Sequence, residues 1–178
     1  MLVSAGVTVP VPDAHTLEHA EEIQLPFLQA LWEAVPPVLP LLIPRLSDPD
    51  RARLAIALGR WCDGGTLFLV STDFTHYGVD YGYVPFVDDV PQRLKSLDMG
   101  AVDLIRGWDA DGLRDYARDT GITMCGLEAM ALVMSLPWPA PPTLAMTAYE
   151  RSGDRDGDHS FSVSYVGMVG TVEGEVSP

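Results

Sequence analysis

Thr66-Leu67-Phe68-Leu69-Val70-Ser71-Thr72-Asp73-Phe74-Thr75-His76-Tyr77-Gly78 is the stretch on which the fold turns. Its first five residues follow Gly64-Gly65 and show no polar alternation, the pattern of a strand buried on both faces of a parallel sheet. Asp73 and His76 then fall at the carboxyl end of that strand, where open α/β sheets place their ligands. A carboxylate and an imidazole three residues apart can perform acid/base chemistry there, with Asp73 fixing the tautomer of His76. An isolated D-x-x-H also serves simply to hydrogen-bond a loop in place.

Upstream, Val38 to Ile43 is a second apolar run of strand length, and Ser47-Asp48-Pro49-Asp50 is a helix start before Arg51 to Trp61. Strand, helix and the Leu67 strand make a βαβ unit. Val7-Thr8-Val9 reads as a short strand, and a helix is predicted from about Pro26, with proline in its first turn and His19 in a preceding turn. Downstream, Tyr77 to Val90 reads as an aromatic-rich loop able to wall a pocket. Pro91–Ile105 and Ala110–Arg118 are predicted helices joined at Gly107-Trp108-Asp109. A buried helix follows Cys125, whose place near its amino terminus favours a thiolate. Thr143–Ala148 and Ser160–Val172 are predicted as an antiparallel pair joined by a polar turn, with His159 solvated.

The fold expected is therefore a single α/β domain over residues 1–178, with a mostly parallel central sheet flanked by helices and an antiparallel carboxyl-terminal strand pair. The formal net charge of −14 predicts no nucleic-acid partner and no binding to an anionic membrane. Residues 1–7 carry no basic leader, and prolines break the apolar stretch from Val35 to Leu46, so a cytoplasmic protein without a membrane span is expected. Cys62 and Cys125 make no disulfide framework; each is a candidate ligand or a small buried apolar residue.

Four segments resemble the MEMO family, the AmmeMemoRadiSam system protein B group. Glu18-His19-Ala20-Glu21-Glu22-Ile23-Gln24-Leu25-Pro26-Phe27 is similar to its E-H-S-x-E-x-Q-L-P-F, and Ser71 to Gly78 to its S-S-D-x-S-H-Y-G. Met124-Cys125-Gly126 is similar to I-C-G, and Ser164-Tyr165-Val166-Gly167 to S-Y-A-A/G. The resemblance implies a fold similar to the LigB-type class III extradiol dioxygenases. It also implies a pocket in which Cys125 is a metal ligand, Asp73 and His76 line the site, and His19 is a pocket candidate. Two family segments that supply metal-binding histidines, P-H-A-G-Y and G-P-S-H, have no counterpart here. His15, in Pro12-Asp13-Ala14-His15, matches neither. The chain is thus expected to correspond to the carboxyl-terminal two thirds of the family fold, truncated at its amino terminus. A separate chain or an oligomer is expected to cover the sheet edge left open.

Three functions remain open at this point. In the first, Cys125 and His76 are metal ligands for Fe(II), with Cu or Zn as alternatives, and His76 and Asp73 are the catalytic residues of a dioxygenase-like oxidoreductase. In the second, the same pocket, for which His19, Thr75 and Tyr77 are further lining candidates under any reading, is a non-catalytic binding module for a small molecule or peptide, with the metal optional. In the third, Cys125 is a nucleophile with His76 as its base.

Overall fold

A side-chain cap or a proline in the first turn opens each described α-helix but the last. The structure is a computed structural model and describes residues 2–3, 6, 8–16 and 18–172. Two single-turn helices, α1 (Pro12–His15) and α2 (His19–Glu22), precede α3 (Leu25–Leu31), which has Pro26 in its first turn. The predicted turn around His19 is thus helical, with the Glu18 carboxylate accepting from the Ala20 amide at 2.8 Å. Trp32 is already extended, and α3 ends there, ahead of Pro36-Pro37.

The Asp50 amide donates to Ser47 Oγ at 3.3 Å at the start of α4 (Asp48–Leu58), as the sequence predicts. The long α5 (Val90–Arg106) and α6 (Ala110–Thr120) are separated by Trp108 in the left-handed region. Asp109 caps α6 through the Gly112 amide, and left-handed Gly121 ends it. The last helix, α7, spans Leu127–Met134. None of the described helices is long and apolar enough to cross a membrane.

The mixed helix-and-strand class expected from the sequence is observed, but its parallel part is not. Strands β1 (His76–Tyr77), β2 (Thr143–Arg151) and β3 (Ser162–Thr171) form one sheet in the order β1-β3-β2, antiparallel throughout. The predicted carboxyl-terminal pair is β2 and β3, with a register shift between Met146 and Ala148. Runs 38–43 and 66–70, predicted as parallel strands, are irregular and belong to no ladder among the described residues. The physical reason is partnership. Leu41, Ile43 and Phe68 pack against one apolar cluster of Leu54, Ala55, Leu58, Leu132 and Leu136, yet the two runs exchange no backbone hydrogen bond. Their alternate side chains face outward, with Leu67 and Leu69 67% and 53% exposed. Thr8 and Val9 form no strand, and Val7 lies outside the described residues.

The main core lies between α5, α6, α7 and the sheet, around Val102, Ile105, Leu113 and Met124. Phe74 enters it from the chain leading into β1, and its amide donates to Ser164 O at 2.9 Å. Through that core the sheet positions the Asp73 to His76 segment, which runs beside β3. His159 is largely buried beside Asp154, at 3.5 Å, and not solvated as predicted, because the turn after β2 folds back over it.

Candidate functional site

Asp73, His76 and Cys125 approach one another although about fifty residues separate the two segments that carry them. Ser164 N donates to Thr75 O at 2.9 Å, which continues the pairing of the turn with β3. On the other side, Thr123 grips His76 in three ways. Thr123 Oγ1 accepts from the His76 amide at 2.7 Å and donates to His76 O at 2.9 Å, and Thr123 O lies 2.9 Å from His76 Nδ1.

A carbonyl oxygen can only accept, so Nδ1 carries a proton and neutral His76 presents the Nε2 lone pair. That lone pair faces Asp73 Oδ2 at 3.5 Å. With the ring neutral and the carboxylate ionised, two acceptors oppose each other. A proton on Nε2, or an O–H or N–H group donated by a ligand, converts that opposition into attraction.

Cys125 is exposed, two residues before α7, which corrects the buried apolar reading for this cysteine. Its Sγ accepts from the Asp73 amide at 3.2 Å and lies 3.6 Å from Thr72 Oγ1. Thr72 Oγ1 also accepts from the Gly126 amide at 2.7 Å. This close approach requires glycine, since a Cβ on Gly126 would stand 2.4 Å from the Thr72 Cβ. Cys62, by contrast, packs at the edge of the second apolar cluster, and burial, with Asp63 nearby, pushes its thiol up.

Asp73 therefore links the other two residues, with its amide on the sulfur and its carboxylate beside the imidazole. Thr123 and Thr72 are site residues that the sequence reading missed. Their nearness to Cys125 and Asp73 in the chain was the available signal.

The other expected pocket residues sit elsewhere. Thr75 and Tyr77 are buried beneath the turn, Thr75 completely, and the Tyr77 hydroxyl donates to Phe86 O at 2.6 Å. His19 is exposed on α2, while Gln24 Nε2, donating to Ser71 Oγ at 3.1 Å, ties its segment to the turn. An aromatic wall flanks His76. Tyr81 meets it edge-on at 5.1 Å between ring centroids and stacks on Phe161 at 4.6 Å. Burial, then the Asp73 charge, raises the Tyr165 hydroxyl above the usual tyrosine range.

A resident metal does not fit these residues by themselves. Among the described residues no group of three His, Cys, Asp or Glu side chains is placed to hold an ion.

A family model for Memo-like proteins matches residues 2–169. The chain belongs to the Memo-like family. Among curated relatives, a MEMO1 family protein of Thermococcus kodakarensis is 35% identical over 123 residues, covering 64% of this chain and 42% of that protein. One from Pyrococcus horikoshii is 34% identical over 127 residues with the same coverage. One from Thermoplasma acidophilum is 26% identical over 160 residues, covering 90% of this chain and 55% of its own length. The Memo-like chain thus spans about half the length of the curated relatives it matches.

Proposed function

We propose that this Memo-like chain carries a ligand-recognition site in which the Asp73–His76 pair receives a protic group of a small molecule or peptide, with Cys125 alongside. The observation that carries this reading is the locked imidazole. Thr123 O holds the Nδ1 proton, leaving Nε2 and the Asp73 carboxylate, 3.5 Å apart, to share one donor. An ammonium seated there can donate to each acceptor through separate N–H groups, and a hydroxyl can donate to one of them or share its single hydrogen between both. His76 Nε2 can take up a proton from such a group and Asp73 can stabilise the imidazolium that results. Tyr81 and Phe161 offer apolar surface beside it.

The second reading is a metal-dependent oxidoreductase whose remaining donors come from another polypeptide. The exposed apolar side chains of runs 38–43 and 66–70 favour it, because Val38, Leu39, Leu42, Leu67 and Leu69 lie outside any ladder among the described residues and offer a second chain apolar surface to cover.

One experiment separates the two. Protein prepared without oxygen is offered Fe(II), and separately Cu or Zn, then freed of excess and analysed for metal and molecular mass beside Cys125→Ala. The ligand-recognition reading expects little metal, with no difference between the two proteins. Stoichiometric metal that Cys125→Ala abolishes would overturn it in favour of the metal centre.

A further inference from the structure

Asp98 lies on α5 and is completely buried. Among the described residues, every hydrogen bond it accepts comes from a neutral donor. The Thr75 amide and hydroxyl donate to Oδ1 at 3.3 and 2.6 Å, and the Tyr149 hydroxyl donates to Oδ2 at 2.8 Å. Among the described residues it has no ion-pair partner within 4 Å. Arg151 lies beyond, over the Tyr149 ring, at 5.6 Å from its centroid.

A desolvated carboxylate without a direct cation is a costly occupant for a helix face whose other inward residues are Leu94, Ala101, Val102 and Ile105. Packing alone would be served as well by leucine. Two of the three bonds go to Thr75, whose carbonyl is already held by Ser164 N. Thr75 is thereby held on its amide, its hydroxyl and its carbonyl. It sits one residue before His76 and two after Asp73, so fixing it fixes the direction in which the chain presents both.

We propose that Asp98 is the positioning residue of this site, acting through Thr75 to keep the Asp73 amide on Cys125 and the His76 ring on Thr123. Asp98 touches neither residue and would contact no ligand. The functional weight of this inference rests on the ligand-recognition reading, but the alignment it asserts is measurable with no ligand present.

The test is residue-resolved amide hydrogen exchange on the full chain, with the ¹⁵N shifts of the His76 ring recorded alongside. In Asp98→Ala, exchange at Thr75 and His76 should accelerate by about ten- to a hundred-fold beyond any change at Ala145 and Val169, farther along the β2–β3 hairpin. The ring shifts should lose the signature of the Nδ1-protonated form. Asp98→Asn should restore both, since its Oδ1 accepts from the same two Thr75 groups while the Tyr149 hydroxyl turns to accept from Nδ2. Thr75→Val should reproduce the local pattern more weakly, and it decides the matter if Asp98→Ala does not fold. Equal acceleration in turn and hairpin, an Asn variant as poor as Ala, or an undisturbed turn would overturn the proposal. A failure of ligand binding alone would leave the exchange pattern intact and would count only against the proposed function.

Discussion

Replacing Thr123 by valine removes one oxygen and keeps nearly the same shape, so its cost can be worked from the hydrogen bonds it breaks. The hydroxyl accepts from the His76 amide at 2.7 Å and donates to the His76 carbonyl at 2.9 Å. Each neutral bond contributes about 1 kcal/mol net, and an amide left without a partner costs about 1–3 kcal/mol. The site is only partly buried, so water can relieve some of this, and about 2 kcal/mol is the expected loss. For a chain of this size that corresponds to a melting temperature lower by roughly 4–8 °C.

Urea unfolding should show the midpoint falling with an unchanged slope, since the same surface is exposed on unfolding. Thr123→Ser keeps the oxygen and should recover most of the loss. A valine variant as stable as the parent, or a serine variant no better than valine, would refute the claim that this hydroxyl anchors His76.

Two further outcomes follow from the same surroundings. Burial first, and the Asp98 charge second, hold the Tyr149 hydroxyl above the usual tyrosine range. Between the unfolded value near pH 10 and the folded one, the native state keeps a proton that the unfolded chain releases. This stabilisation is complete below about pH 10 and is lost as pH rises beyond it. Stability measured from pH 8 to 11 should therefore fall less steeply in Tyr149→Phe, with a residual slope from Tyr83, Tyr116 and Tyr165, which are raised too. Gly78→Ala should destabilise by about 1–3 kcal/mol in a thermal melt, because φ is +138° and the new methyl would lie 2.9 Å from Ser160 O. A melt indistinguishable from the parent's would show that the turn relaxes freely.

Local signals made much of this architecture legible. Ser47-Asp48-Pro49-Asp50 announced α4, Gly107-Trp108-Asp109 the break between α5 and α6, and the polar stretch after Arg151 the β2–β3 hairpin. What stayed hidden depends on partners distant in sequence. Uninterrupted apolar character in 66–70 reads as strand, yet a ladder also needs a neighbour that no single run can specify. Asp98, in Lys95-Ser96-Leu97-Asp98-Met99, carries no signal in the sequence that sets it apart from the other charges of the Pro91–Ile105 helix. Only the arrival of Thr75 and Tyr149 makes it a buried acceptor. The Asp73/His76 pair was visible as a motif, and Cys125 as a residue near a helix start. The amide-to-sulfur contact between Asp73 and Cys125 crosses 52 residues and was not visible.

That long reach bears on how the molecule comes together in time. The β2–β3 hairpin and the α5–α6 pair join segments close in sequence and can close early. The contacts of Thr123 and Cys125 with the 72–76 turn must wait until the chain between them has doubled back. The site is therefore expected to assemble after the hairpin and the helix pair. Signals from Cys125 and the His76 ring would report completed folding of the whole chain more faithfully than helix content does.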